Sequence, residues 1–215
     1  MTDNTDFTVQ SIDRSKVLFL LDPGHGIDTP GKRSPGKKTV DDGRPGIMEW
    51  EFNRDIVKRI INIATLMGIQ CVDLVVQKES IPLAERVRRA NHINETHRCA
   101  FISVHSNAAG KGGWSEARGF RVFQPPNASL ATRFLASAIR GAMQRNVDEW
   151  KTRQAIKEAG FYVIKKTTMP AVLTENGFMT NRDDCEILES DIGRNAIARA
   201  HVAAMQEYIE WLDEK

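Results

Sequence analysis

The chain has 215 residues, 41% hydrophobic and 27% charged, a balance that excludes a mainly disordered, collagen-like or coiled-coil protein. Lys and Arg total 30 against 28 Asp and Glu, so the net charge of +2 carries no concentrated basic footprint of the kind nucleic-acid binding requires. The cysteines Cys71, Cys99 and Cys185 are widely spaced and form no CxxC pair. Neither a disulfide framework nor a thiolate zinc site is expected, and each is read as a small apolar residue.

The N-terminal stretch MTDNTDFTVQSIDRSK is polar and lacks the apolar core of a secretory signal. No apolar run approaches the ~18 residues that mark a membrane-spanning helix. Residues 1–16 are read as a tail and 17–215 as a single domain. The first apolar run, Val17 to Leu21, is continuous and stops at Asp22-Pro23-Gly24, the pattern of a strand buried on both faces. Residues 26–46 hold five of the 15 glycines and three of the 8 prolines among many charges, and predict a long loop, of the kind that is commonly functional or mobile. From Glu49 to Met67, apolar residues at Phe52, Ile56, Ile60, Ile63 and Met67 predict a helix stopped by Gly68.

Residues 69–76 read as a second strand, and Ser80 as the cap of a helix that begins at Pro82 and carries Leu83, Val87, Ala90 and Ile93. Ala100–Val104 and Gly119–Phe123 are the next strands, followed by a helix over 127–145 opened by Asn127 or Ser129. Phe161–Lys165 and Ala171–Thr174 are expected as short strands, Arg182–Glu189 as a short helix and Asp191–Leu212 as a long one. Strands alternating with helices give an α/β domain with a mostly parallel or mixed sheet and helices on both faces.

Two of the five histidines occupy matched positions: His25 follows the first strand through Asp-Pro-Gly, and His105 directly follows AFISV. In open α/β sheets, sites form beyond the carboxyl ends of strands, so both imidazoles can enter one crevice. Two histidines and a carboxylate make a catalytic zinc set with an open fourth position. Glu49 and Glu51 are both candidates for that carboxylate; about 200° apart around a helix, only one can face the site. His92, His97 and His201 read as surface or core residues. Glu175 closes the strand PAVLTE, where a carboxylate beside buried residues must pair, bind metal or have its pKa raised. Such a glutamate can move a proton from water to a leaving amine, or else simply pair with an arginine such as Arg182.

In one order with fitting gaps, DPGHG at 22–26, E-x-x-x-N at 49–53, RVRRAN at 86–91, SVHSN at 103–107 and PAVLTENGF at 170–178 resemble the zinc-dependent N-acetylmuramoyl-L-alanine amidases of the type 3 class. Each motif alone is weak; the ordered set spans about residues 17–212. The resemblance implies a single α/β domain around a twisted sheet of about six strands. It also implies a Zn2+ ion held by His25, Glu49 and His105, with Glu175 as catalytic acid/base. The implied reaction is cleavage of the amide between N-acetylmuramic acid and L-alanine in peptidoglycan, with no nucleic-acid, membrane or obligate protein partner. The same metal chemistry would also serve a zinc peptidase acting on stem peptides, and the fold alone would serve a non-catalytic wall-binding module, against which the four intact residues argue. The missing export signal fits a phage lysin held in the host cytoplasm, while an extracytoplasmic wall enzyme is the other reading. Ile27, where the family commonly has a second glycine, the basic loop 27–46 and the glycine-rich stretch 109–118 depart from the family pattern. No inserted helix of the kind that plugs the site in some regulated family members is expected, residues 143–158 being where one would lie.

Overall fold

A computed structural model describes residues 13, 15–150 and 154–215. Most of the expected 1–16 tail therefore lies outside the described residues. The elements follow in the order β1 (Leu18–Pro23), α1 (Glu49–Leu66), β2 (Gln70–Asp73), α2 (Leu83–Asn94), β3 (Cys99–Asn107), β4 (Phe120–Gln124), α3 (Leu130–Asn146), β5 (Gln154–Glu158), α4 (Tyr162–Lys166), β6 (Ala171–Phe178), α5 (Arg182–Glu189) and α6 (Asp191–Asp213), with a short 3-10 turn at Asp148–Trp150 before β5.

The six strands form one sheet in the order β2-β1-β3-β6-β4-β5. Strands β2, β1, β3 and β6 run parallel, β4 lies antiparallel to β6, and β5 is parallel to β4. The sheet is mixed, as expected, and helices cover both faces. The period of two in a strand sends Val17, Phe19 and Leu21 into the larger core, which also holds Ile56, Ile60, Ile139 and Met205 from α1, α3 and α6. Leu18 and Leu20 enter the smaller core on the other face with Val87 and Ile164 of α2 and α4. Burial on both sides is why the run reads as unbroken apolar sequence.

Two expectations are corrected. Residues 161–165 are not a strand: Tyr162–Lys166 form a short helix whose Val163 and Ile164 pack under the sheet. That five-residue segment opens with Tyr162, Val163 and Ile164 in a row, a length at which periodicity does not separate helix from strand. Among the described residues, the 143–158 region finishes α3 and then adds β5 at the sheet edge. Ser80 does not cap α2, because its hydroxyl is bonded to Thr29, and Pro82 itself takes the N-cap position. Ser129, not Asn127, caps α3 by accepting from Thr132 N.

His201 of α6 is completely buried against β6. Its Nδ1 lies 2.9 Å from Ile197 O and its Nε2 3.2 Å from Thr174 Oγ1, so the ring donates to the carbonyl and accepts from the hydroxyl in its neutral form. Burial pushes its pKa from 6.5 down to about 4, outweighing the opposing bond to Ile197. Below 6.5 the unfolded chain therefore takes up a proton that the folded chain refuses until about 4, so stability falls as pH drops through that window and levels off beneath it. The full loss is about 3 kcal/mol. Urea denaturation at about pH 7 and about pH 4 should show a gap between the two that is smaller in His201→Gln by roughly this amount. An equal gap in both proteins would remove His201 as the cause.

Candidate metal centre and catalytic site

The site lies at the carboxyl end of β1, beside the carboxyl-terminal halves of β3 and β6 and at the N-terminus of α1. Glu49 is the first residue of that helix, where the aligned peptide dipoles favour a negative charge. Its Oε1 is 3.3 Å from His25 Nε2 and 3.1 Å from His105 Nδ1, and it accepts from Ser106 N at 3.3 Å. Burial raises the Glu49 pKa, but the bonds from the two imidazoles prevail and hold the carboxyl down at about 2. Burial of His105 lowers its pKa, and Glu49 more than reverses this.

His25, Glu49 and His105 offer donor atoms that all lie within 4.8 Å of one another. The two imidazole-to-carboxylate separations match the roughly 3.3 Å edge of a tetrahedron whose metal–ligand bonds are about 2.0–2.1 Å. Glu49 Oε2 is buried with no hydrogen-bond partner among the described residues, an acceptor left with capacity at the same place. Two imidazoles, one carboxylate and an unused lone pair fit a divalent ion of the zinc type.

The expected sequence motifs now have physical roles. His25 has a φ of 61°, a left-handed conformation rarely taken by a residue with a side chain. Three consecutive carbonyls around it are tied down by side chains. Arg86 Nη1 donates to Pro23 O at 2.7 Å, Asn53 Nδ2 to Gly24 O at 3.1 Å, and Arg54 Nη1 to His25 O at 2.9 Å. Arg86 also pairs with Asp22 at 2.5 Å, both buried, and the second Asp22 oxygen accepts from Ser103 Oγ at 2.7 Å. In E-x-x-x-N, then, Glu49 touches the imidazoles while Asn53, one helical turn on, holds the loop that carries His25. Glu51 turns the other way and pairs with Arg194 at 2.8 Å.

His105 lies within β3, not after it, and Glu175 lies inside β6, which continues to Phe178. The two are register partners in the parallel ladder, so Glu175 stands beside the triad. Its Oε2 is buried without a hydrogen-bond partner among the described residues. Burial pushes its pKa up to about 7, against the opposing pulls of His105 and Lys32. Arg182 does not pair with it; the guanidinium stacks over Trp114 at 4.4 Å. Thr174 and Asn176 point to the other face, where Asn176 Nδ2 donates to His105 O at 2.9 Å and so fixes the ligand strand. Asn107 bonds the adjacent Ala108 N, a local turn role. The cysteines are free, with Cys99 and Cys185 buried and Cys71 half-buried. His92 lies at the surface beside Glu95, and His97 bonds Thr96.

Arg54 is a contributor that the sequence pattern did not single out. The signal available was weak, since Arg54 is one of many basic residues on the helices.

The sequence profile of the N-acetylmuramoyl-L-alanine amidase family matches residues 19–207. The endolysin of Bacillus phage SPP1 is 30% identical over 195 residues, covering 89% of this chain and 66% of that protein. The N-acetylmuramoyl-L-alanine amidase CwlM of Bacillus licheniformis is 29% identical over 185 residues, covering 86% of this chain and 66% of that protein. The chain thus spans about two thirds of the length of these curated relatives. Among solved structures, the amidase AmiC2 of Nostoc punctiforme superposes with a TM-score of 0.71 at 29% identity, over 90% of this chain and 97% of that one. The amidase of Clostridium difficile 630 shares the fold, with a TM-score of 0.75 at 24% identity over 94% of this chain and all of that one.

A Cβ added at Gly24 would lie 2.0 Å from Cε1 of His105, so any side chain there must displace the imidazole. Gly24→Ala should weaken retention of an added divalent ion at least about tenfold in a chelator competition, with the far-UV circular dichroism unchanged. Unaltered affinity would mean that His105 is not held where the triad needs it.

Proposed function

Since the chain belongs to the N-acetylmuramoyl-L-alanine amidase family, we propose that it hydrolyses the amide between N-acetylmuramic acid and L-alanine in bacterial peptidoglycan, as a single catalytic unit over 17–215. The observation that carries this reading is the convergence of His25, Glu49 and His105 with Glu175 as a register neighbour. Zn2+ is the ion we assign to the triad, one per chain. When bound there, it supplies Lewis-acid polarisation of the lactyl carbonyl and of water.

The protein's own part is to orient and to move protons. Glu49 anchors both imidazoles with one carboxylate oxygen, which sets their ring planes before substrate arrives. Asn176 and the arginines hold the two ligand-bearing backbones still. Glu175 accepts the proton of the attacking water and delivers it to the L-alanine nitrogen as the amide breaks. A carboxyl pushed up to about 7 by burial suits both halves of that task near neutral pH. The phage endolysin and the bacterial wall amidase among the relatives support the bacterial cell wall as the place of action. No helix among the described residues is long and apolar enough to cross a membrane.

Mass spectrometry of digested sacculi should find new L-alanine amino termini and free lactyl carboxyls; cuts inside the stem peptide would replace the amidase reading with a peptidase. Glu175→Gln should lower kcat by about 10²–10⁴-fold while retaining zinc. His105→Ala should lose zinc and activity together. Full activity of Glu175→Gln would remove the acid/base assignment.

A further inference from the structure

His25 enters the triad from a left-handed backbone, with a φ of 61°. A strained φ is relieved by turning the peptide plane beside it, so whatever holds that plane decides where the imidazole stays. The plane that follows His25 is held at both of its polar ends. Its carbonyl, His25 O, accepts from Arg54 Nη1 at 2.9 Å, and its amide, Gly26 N, donates to Thr29 Oγ1 at 3.0 Å. Thr29 N in turn donates to Gly26 O at 3.0 Å and closes the turn.

This turn is docked on the connection between β2 and α2. Ile27 N donates to Lys78 O at 2.8 Å, and Ser80 N donates to Asp28 Oδ1 at 2.7 Å. Gly26 is buried, and a Cβ added there would lie 2.0 Å from Ser80 N, so the two segments meet backbone to backbone. From α1, Arg54 reaches the same connection, donating to Gln77 O through Nε at 3.1 Å and Nη2 at 2.6 Å. Half-buried Thr29 joins the two segments through one atom: its Oγ1 takes the amide next to His25 and is also bonded to the Ser80 hydroxyl. A hydroxyl has one hydrogen and two lone pairs, so both bonds are made at once.

We infer that Thr29 is a positioning residue for the metal ligand His25, its hydroxyl fastening the peptide plane behind the imidazole to the β2–α2 connection. The inference rests on the assignment of His25 as a ligand. Without the hydroxyl, the buried Gly26 N–H loses its acceptor and the turn loses its tie to Ser80. The plane is then held from the carbonyl side alone, and an ion meets an imidazole whose direction is no longer set. Partners of this outer kind are worth about 10–100-fold in metal affinity.

The test compares Thr29→Val, which keeps the shape and removes the hydroxyl, with Thr29→Ser, which restores it. In chelator competition for added Zn2+, at a temperature where the far-UV circular dichroism of all three proteins agrees, Thr29→Val should bind at least about tenfold more weakly and Thr29→Ser within about twofold of the wild type. The visible absorption of added Co2+, which reports coordination geometry, should change in Thr29→Val and not in Thr29→Ser. A Thr29→Val protein that unfolds at lower urea yet binds Zn2+ as tightly as the wild type would assign the hydroxyl to stability alone and overturn the proposal. Equal losses in Val and Ser would overturn it too. Should Thr29→Val fail to fold, Ser80→Ala decides, because it keeps the Gly26 bond and cuts the tie: a loss of about threefold in Zn2+ affinity supports the proposal, and none overturns it. If the wild type itself holds no Zn2+, the metal assignment fails and the inference with it, whereas tight binding by wild type and Thr29→Val alike sinks the positioning role alone.

Discussion

One buried carboxylate organises the active end of this protein. Glu49 is almost completely inaccessible, and an isolated charge in such a place would be expelled or neutralised. It is held because three things meet it: two imidazole nitrogens, the Ser106 amide and the positive end of α1. Each depends on a different piece of the chain. The parallel pairing of β1 with β3 brings the two histidine-bearing strand ends side by side, and the Glu49 N–H bond to Lys32 O sets where α1 begins. If any of these shifts, the carboxylate loses its partners and the two imidazoles lose their common anchor.

The surroundings of the triad serve to hold an unfavourable backbone. His25 in a left-handed conformation costs on the order of 1 kcal/mol or more, and such strain persists only where neighbours over-determine it. Here Arg54, Arg86 and Asn53 take three successive carbonyls, and Asp22 with Ser103 fixes Arg86 in turn. The buried Asp22–Arg86 pair contributes orientation more than stability, since a charged pair removed from water gains little net free energy. Its carboxylate and guanidinium reach into β3 and the β1 loop at once, so the pair couples the strand carrying His105 to the turn carrying His25.

Strand β6 divides its labour by the simple alternation of side chains. Glu175 faces the site, while Thr174 and Asn176 face inward. The inward pair is tied to the interior, Thr174 to His201 and Asn176 to the His105 carbonyl. The proton-transfer residue therefore sits on a strand whose back is bonded to both the core helix α6 and the ligand strand β3.

Much of this was legible in the residues themselves. The apolar run at 17–21, the helical spacing from Phe52 to Met67 and the strand-then-histidine pattern at 105 depend on local periodicity and on breakers, which do not need the rest of the chain to be read. Those signals located β1, α1 and β3 and put His25 just past its strand; His105 proved to lie within β3, two residues before its end. Where local pattern was short it misled: residues 161–165 became a helix, and β5 went unseen, because a lone edge strand and a five-residue helix are decided by what they pack on. The choice between Glu49 and Glu51 could not come from helical spacing, since either can face a site once the helix is turned; the Arg194 partner on α6, 143 residues away, settles where Glu51 goes. The same holds for Arg54 and His201, whose roles come from contacts between distant segments. Periodicity encodes which way a side chain leaves its own element, and only the packed fold determines what it meets there.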